Sequence, residues 1–336
     1  MSNITCIPSI SYYSTPEFLA NCVHLIIAFS TPFHFLGLYI ILTKTPKPMA
    51  SIKWIFVNFH IWIVAYDHFL GTLSIPFLLL PSLSGFSLGI LPKFGVPDVL
   101  IVILVLLACG YVLISILTIF ENRFHIVCTY SWKVYWDKIR IPFLLFHYIL
   151  GMVVFIPFWF LMPEQEAARS RVFETLPCLP SYIHEYKLFV LNDNYYHFVT
   201  LITFVLIGSC EVATFSGLLF YSIFEQVRFK KMSKKTLKMQ VKFMMALIIQ
   251  MLIPSFCLLV PLFYFMYTVV YNYYHQAYMN FAIIIQVFHG LISTVVMILV
   301  HYPYRVAFLN MFWFKSSKSE SRVGNLAKTS IGPTQC

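Results

Sequence analysis

Charged residues are scarce in this chain, since only 11% of its 336 residues are Asp, Glu, Lys or Arg. A soluble domain carries about a quarter. Hydrophobic residues make up 60% of the chain and aromatic residues 18%, which is more apolar surface than one core can hide. The 12 glycines and 8 cysteines are too few for a collagen-like chain or a disulfide scaffold. The composition also argues against a disordered or nucleic-acid-binding protein, and it predicts an integral membrane protein.

Several common signatures of catalysis and metal binding are absent from the sequence. It holds no Cys-x-x-Cys, no His-Glu-x-x-His, no Walker loop and no dinucleotide-binding glycine pattern. The 11 histidines are scattered along the chain, and a histidine inside a membrane usually hydrogen-bonds to another helix. We therefore predict no enzymatic activity, no cofactor and no metal site.

Seven stretches are long and apolar enough to cross a bilayer, which takes about 20 apolar residues in a helix. The charge-free run 243–304 would measure about 93 Å as one helix, so it must turn back, and its most polar part is 271–278. The sequence therefore predicts an all-α membrane protein, a seven-transmembrane helix bundle. The predicted spans cover residues 18–42, 54–80, 99–120, 141–162, 196–224, 243–270 and 279–300.

The distribution of basic residues predicts the orientation of these spans. If the amino terminus is extracellular, 19 of the 23 Lys and Arg residues fall on the cytoplasmic side. Basic residues in short loops favour that side of a membrane. We therefore predict an extracellular segment 1–17, a seven-span domain 18–304 and a cytoplasmic tail 305–336. The tail is expected to begin with a short interfacial helix and to continue as a disordered segment.

Two features are predicted on the extracellular side. Asn3 starts the single N-glycosylation sequon of the chain, Asn-Ile-Thr. Cys6 and Cys178 both fall on this oxidising side, so a Cys6–Cys178 disulfide is predicted. The alternative is that both cysteines are free thiols.

Two carboxylates are predicted near the middle of spans, Asp67 in the second and Glu211 in the fifth. A charge at this depth costs about 2.5–3.5 kcal/mol, so each is expected to face the bundle interior and to pair. His289 and Gln286 lie at a similar depth in the seventh span. Two interpretations stay open: an ion or switch site, or a hydrogen-bonded acid that only ties helices together.

An acid and a base stand at the cytoplasmic end of the third span, in Phe120-Glu-Asn-Arg123. Such a pair, Glu121 with Arg123, can lock a closed state and release its arginine to a partner when helices move. The arginine can equally lie at the interface, as the orientation rule requires. The basic loop after the fifth span could dock against an acidic protein or against anionic membrane lipid. Its lysines include Lys230, Lys231, Lys234 and Lys235.

Short motifs spread from about residue 12 to residue 306 are characteristic in their order and spacing. They include Thr15-Pro-Glu-Phe-Leu19, Pro32-Phe-His-Phe-Leu-Gly37, Lys44-Thr-Pro-Lys-Pro-Met49, Phe120-Glu-Asn-Arg123, Leu176-Pro-Cys178, Ala246-Leu-Ile-Ile-Gln250 and Pro303-Tyr-Arg305. The chain thereby resembles the nematode chemoreceptors named serpentine receptors class H, relatives of the seven-helix G-protein-coupled receptors. The resemblance implies a ligand-sensing receptor in the plasma membrane, typically of a sensory cilium, coupled to a heterotrimeric G protein. It also favours Arg123 as a switch residue.

The predicted function is therefore a chemosensory receptor for a small, largely apolar molecule. We expect the ligand in an outer cavity between the third, fifth, sixth and seventh spans. An apolar lining with few polar groups suits such a molecule. The candidate polar contacts are Tyr111, Tyr264, Tyr267 and Gln286.

Two other classes of protein are weighed against this function. A channel or transporter is the first alternative, although the span count is odd and the sequence shows no inverted repeat. An intramembrane enzyme that uses Asp67 with His60 or His68 is the second. Substitution of Asp67 would separate an enzyme, which should lose all turnover, from a receptor, whose signalling should shift.

Overall fold

Long helices make up most of the structure, a computed structural model that describes residues 11–176, 179–191, 196–229 and 233–311. The labelled helices are α1 (Pro16–Lys44), α2 (Ala50–His68), α3 (Asp98–Val127), α4 (Lys133–Val153), α5 (Ile156–Phe160), α6 (Gln165–Thr175), α7 (Tyr196–Arg228), α8 (Lys234–Val270) and α9 (Gln276–Val300). A further helical segment covers residues 302–311. Three short strands, β1 (Pro76–Leu79), β2 (Ser84–Ser87) and β3 (Phe189–Val190), form one sheet.

The helices account for seven crossings of a membrane. Six of these are long and apolar enough by length and composition alone, namely α1, α3, α4 together with α5, α7, α8 and α9. The remaining crossing is α2, which continues directly into a π-helical stretch, Phe69–Ser74. Residues 50–74 together measure about 37 Å, which exceeds the hydrocarbon thickness of about 30 Å.

Side-chain caps explain where the helices begin. The Thr15 hydroxyl oxygen accepts a hydrogen bond of 3.2 Å from Phe18 N, and Pro16 occupies the first turn of α1. Ser233 accepts a hydrogen bond of 3.2 Å from Thr236 N in the same way. The helix α8 therefore starts well before residue 243, the predicted start of the sixth span, because a capped basic turn is helical outside lipid as well.

The second span differs from the prediction of 54–80. Its helix ends at Ser74, Ile75 takes a φ of 45°, and Pro76–Leu79 form a strand. Proline lacks a backbone N–H and disfavours helical geometry in the residue before it. A short apolar run also fits a buried strand as well as a helix, so the sequence pattern alone extended this span too far.

The three antiparallel strands cap one end of the bundle, which we name the sheet end after β1–β3. The central strand is β2, and its Ser84 lies opposite Val190 of β3. Gln165 of α6 makes two hydrogen bonds of 3.0 Å with the backbone of Val190. The long predicted loop 163–194 therefore contributes a helix and a strand to this cap.

Large apolar side chains cover the outside of the helices. Phe35 of α1 is 71% exposed and Phe256 of α8 is 70% exposed. A soluble protein avoids such a surface, whereas lipid solvates it. The central helices are α3 and α9, since half of the most apolar window of each is buried.

Candidate functional site

A cavity of about 350 Å³ lies inside the bundle beneath the sheet end. Its walls come from α2, α3, α5, α7, α8 and α9, and residues of all three strands close it on the sheet side. Most of the lining is apolar, as shown by Val105, Leu262 and Ile283. The volume falls at the lower end of the range for cavities that bind small molecules, roughly 300–1,000 Å³.

A few polar groups interrupt the apolar lining. They include Gln286 of α9, Ser255 of α8, His197 of α7 and Asp98 of α3. No Lys or Arg occurs among the described residues that line the cavity. A site with this lining suits a neutral, largely apolar molecule better than an acid, whose buried charge would have no cationic partner.

Gln286 and Tyr111, two of the predicted ligand contacts, have different surroundings. Gln286 lines the cavity. The Tyr111 hydroxyl instead donates a hydrogen bond of 3.1 Å to Tyr148 O of α4, and its ring centroid lies 4.3 Å from that of Trp62. Tyr111 therefore packs between α2 and α4 and is not among the lining residues.

The other two predicted contacts, Tyr264 and Tyr267, lie near the turn between α8 and α9. The Tyr264 hydroxyl donates a hydrogen bond of 3.4 Å to His275 O. Tyr267 is 47% exposed, and its ring centroid lies 4.9 Å from that of Tyr271. Neither ring is among the lining residues of the cavity, so a ligand contact by these tyrosines stays a prediction.

Asp67 is fully buried between α1, α2 and α9. Its Oδ2 lies 2.9 Å from His34 Nε2, and His34 Nδ1 lies 3.0 Å from Thr294 Oγ1. His60 Nε2 lies 2.9 Å from His34 O. A side chain at Gly290 would collide with the Asp67 carboxylate, so α9 needs a glycine at this level.

The hydrogen bonds among Thr294, His34 and Asp67 indicate where the protons of this cluster lie. The Thr294 hydroxyl donates to Gly290 O at 3.0 Å, so its oxygen accepts from the Nδ1–H of His34. His34 Nε2 and Asp67 Oδ2 then share one further proton, as imidazolium with carboxylate or as imidazole with carboxylic acid. Both forms are neutral overall, which avoids an isolated charge in the membrane. The geometry thus supports Asp67 as an acid that ties three helices together.

The histidines considered as partners of Asp67 have other main contacts. His289 is buried, with its ring centroid 5.9 Å from that of Tyr66. His60 bonds to the α1 backbone, and His68 bonds within its own helical stretch. The pairs hypothesised for a catalytic Asp67, with His60 or with His68, are therefore not formed. Asp67 pairs instead with His34 of α1, which was not predicted from the sequence.

Glu121 does not pair with Arg123, so the pairing hypothesised at the end of the third span is wrong. The partner of Glu121 is Arg140 of α4. The buried Glu121 carboxylate accepts hydrogen bonds of 2.9 Å from Nε and Nη2 of Arg140. Trp136 Nε1 donates a third hydrogen bond of 2.9 Å. Residues two positions apart on a helix point in different directions, so Glu121 reaches α4 and fastens it to α3.

Arg123 lies against an aromatic ring of α8 instead. Its guanidinium carbon is 3.7 Å from the centroid of Phe243, a distance typical of a cation–π contact. The Phe243 centroid lies 5.5 Å from that of His301, which follows α9. Burial and the charge of Arg123 lower the pKa of His301 to about 4. The neutral ring can therefore donate from Nε2 to Gln250 Oε1, 2.6 Å away.

Glu211, the second carboxylate within a span, faces α4. Both of its oxygens lie 3.0 Å from His147 Nε2. His147 Nδ1 donates to Phe143 O at 2.8 Å, so Nε2 and Glu211 share a proton as Asp67 does with its histidine. This pair joins α4 to α7 and lies outside the cavity lining.

Several predicted residues fall outside the described parts of the chain, and their roles stay predictions. Lys234 and Lys235 are described, and both are exposed in the first turn of α8. They are therefore available to a partner or to lipid. The residues outside the described parts are Asn3, Cys6, Cys178, Lys230 and Lys231.

One spacing typical of hydrolases occurs at residues 85–89, which read Gly-x-Ser-x-Gly. In those enzymes the serine sits on a turn from a strand to a helix. Here Ser87 ends an antiparallel strand, and its hydroxyl donates to Ser74 O. The serine is thus used inside the sheet. Within the described ranges, no group of three His, Cys, Asp or Glu residues could hold a metal ion.

In the described part of the chain, six helices that are long and apolar enough to cross a membrane, together with α2, form a bundle that holds an apolar cavity. These features define the class as a multi-pass helical membrane protein. Comparison with known families narrows the class. The chain matches the family described as "Serpentine type 7TM GPCR chemoreceptor Srh" over residues 14–314, and it belongs to this family.

A curated relative agrees with this assignment. Serpentine receptor class H-72 of Caenorhabditis elegans is 25% identical over 321 residues, which cover 94% of this chain and 91% of the relative. The predicted resemblance and the predicted seven-span helical fold class are both confirmed. The family is one of receptors and not of enzymes.

Proposed function

We propose that this protein is a chemosensory receptor that binds a small, neutral and largely apolar molecule in the cavity beneath the sheet end. The observation that carries the proposal is the cavity itself, about 350 Å³ in volume and apolar apart from a few groups such as Gln286. An apolar wall supplies affinity by excluding water, and a single amide supplies orientation. The membership in a chemoreceptor family supports the same function.

Signalling is proposed to reach a heterotrimeric G protein at the opposite end of the bundle, where Arg123 and the basic start of α8 lie. This end faces the cytoplasm if the amino terminus is extracellular, as the distribution of basic residues favours. The contact between Arg123 of α3 and Phe243 of α8 would open when α8 moves. A ligand can favour the open arrangement only through a stronger interaction with it.

The ligand part of the proposal is tested by G-protein activation in cells that express the full chain. The probes are neutral aliphatic alcohols, ketones and esters, and activation is followed by energy transfer between labelled G-protein subunits. Gln286→Leu keeps the volume and removes the amide, so it should raise the half-effective concentration about 3- to 10-fold, the equivalent of one hydrogen bond. Tyr39→Phe, which removes one polar group at an exposed position of α1 outside the cavity lining, is the control. An equal effect of both variants would refute the assignment of Gln286.

The coupling part is tested with Arg123→Gln. This variant should bind the active probe with unchanged affinity and fail to activate the G protein, because the released guanidinium is absent. Lys44→Gln, which removes a cation at the end of α1, should signal as the wild type does. Full signalling by Arg123→Gln would exclude Arg123 from coupling.

A further inference from the structure

The helix α7 is the least buried of the six helices that qualify as spans by composition. Only 6% of its most apolar window is buried, against half for α3 and α9. It packs closely against α3, and Phe204 of α7 approaches Gly110 of α3. No comparable packing joins α7 to α8 in the described part of the chain. The two helices that follow each other in sequence are therefore separated along much of their length.

The gap between α7 and α8 coincides with the cavity. Both helices contribute lining residues, which include Phe204 and Ser209 from α7 and Ser255 and Leu259 from α8. Ser209 and Leu259 are also exposed, with Leu259 at 37%. Neighbouring side chains on the outer faces are strongly exposed apolar groups, such as Leu206 at 59%. The cavity therefore continues toward the surface that lipid covers.

The sheet closes the opposite route, from water. Phe77 and Phe86 of the hairpin are buried, with ring centroids 4.8 Å apart. Phe86 also stacks on Tyr186 at 4.1 Å with an interplanar angle of 6°. These rings and the backbone of β1–β3 cover the cavity on its sheet side, so a ligand meets less obstruction from the bilayer than from water.

We propose that the cavity opens to the bilayer between α7 and α8, and that its ligand is a neutral amphiphile whose apolar chain runs through this gap into the lipid. The inference rests on the proposed function, because it takes the same cavity as the ligand site. The polar head of the ligand would meet the amide of Gln286, inside the cavity. The chain needs no polar partner, since lipid solvates it as well as the cavity wall does.

Chain length distinguishes an open cavity from a closed one. Affinity is expressed here relative to the free aqueous concentration of the ligand. In an open site, each added methylene raises this affinity about fourfold, whether the methylene lies in protein or in lipid. In a closed site, affinity stops rising once the chain fills the available volume, because further methylenes have to crowd the packed lining. The presence of such a cut-off is therefore the quantity to measure.

The experiment uses the full chain in lipid nanodiscs with an octanol that carries a photoactivatable diazirine. Labelling of peptides from α3, α8 and α9 that line the cavity is quantified by mass spectrometry. Unlabelled 1-alkanols of increasing length, from hexanol to hexadecanol, compete with the probe. For the wild type we expect inhibition that strengthens about fourfold per methylene through the whole series, without a cut-off.

Matched tryptophan variants locate the opening. The double variant Ser209→Trp/Leu259→Trp fills the gap and should introduce a cut-off while short alkanols still compete. The control Leu206→Trp/Phe256→Trp adds the same rings at exposed positions of α7 and α8 that do not line the cavity, and it should behave as the wild type. A wild-type series with the same cut-off as the gap variant would overturn the open cavity and leave the proposed ligand site intact. Failure of every alkanol to reduce labelling of the cavity peptides would instead refute the ligand site itself.

Discussion

Neutralising Glu121 tests the buried contact between α3 and α4. The substitution Glu121→Gln preserves the size of the side chain but removes its negative charge. In the wild type, three N–H groups of Arg140 and Trp136 donate hydrogen bonds to this carboxylate. The carboxylate is fully buried and the Arg140 side chain is 18% exposed, so solvent screens the pair only weakly. Removing one partner of such a pair leaves the other charge without compensation.

The expected loss is substantial. Breaking a buried ion pair costs about 3–5 kcal/mol, and the partial exposure of Arg140 favours the lower figure. A loss of ~3 kcal/mol corresponds to a fall of about 6–12 °C in the unfolding temperature of a mid-sized domain. Arg140→Gln should destabilise by a similar amount, and the double variant by much less than the sum of both.

The assay is a double-mutant cycle on purified protein in detergent micelles, followed by thermal and denaturant unfolding. We expect a coupling energy above ~2 kcal/mol between Glu121 and Arg140, as is usual for residues in direct contact. The parallel cycle of Glu121 with Arg123 should be additive within ~0.5 kcal/mol. Stronger coupling of Glu121 to Arg123 than to Arg140 would refute the assignment of partners.

Three further predictions address other parts of the chain. Gly290→Ala should strongly destabilise the fold, because the added methyl group meets the Asp67 carboxylate. At Gly217 an added methyl group has nothing within 4 Å, so Gly217→Ala should be neutral or stabilising by up to ~1 kcal/mol. Equal melting temperatures of the two variants would contradict the close approach of Gly290 to Asp67. Burial and the nearby charge of Glu17 raise the pKa of Tyr182 from 10.0 to about 12, so its stabilising contribution is complete below pH 10 and is lost as the pH rises to 12. Tyr182→Phe should therefore flatten the decline of the unfolding temperature in that interval, and an unchanged slope would disprove the assignment. The wild-type chain should be glycosylated in microsomes and Asn3→Gln should abolish the glycan, and a wild-type chain without a glycan would contradict the predicted orientation.

The positions of most helices could be predicted from the sequence, because lipid demands a minimum length of uncharged chain. The helix ends could not, because helices continue beyond lipid. The predicted third span stops at residue 120, but α3 runs on to Val127. Glu121 lies in this extension, where a partner on α4 compensates its charge. A count of charges along the sequence identifies the Glu121 carboxylate but does not show that Arg140 of α4 neutralises it.

The partner of Asp67 also escaped prediction, for a geometric reason. Depth was judged along the chain, which selected His289 and Gln286. Side chains on a helix point toward its amino terminus, so on the antiparallel helices α1 and α2 the side chains of His34 and Asp67 lean toward each other. Two residues at different backbone depths therefore meet at 2.9 Å.

The strands and the cavity lining depend on contacts between distant parts of the chain. β2 pairs with β3 across about 100 residues. A pairing at this separation cannot be predicted from the hydrophobic pattern of either segment alone. The four helices that were expected to surround a ligand, α3, α7, α8 and α9, all contribute lining residues to the cavity, since hydropathy defines those spans. Only Gln286 of its four predicted contacts is a lining residue, because a tyrosine on an apolar helix can face a neighbouring helix as readily as a cavity.

The ties between helices determine which of them can move. Buried polar contacts fasten α1 to α2 and α9 at His34, and α3 to α4 at Glu121. The gap between α7 and α8 has no comparable packing in the described residues, so widening it disrupts less than separating the fastened helices. In the proposed mechanism a ligand in that gap would press on α8, whose far end carries Phe243 against Arg123 of α3. Since α3 is held by its neighbours, a movement of α8 would be taken up at this contact, and the proposed mechanism would link the cavity to the arginine through a single helix.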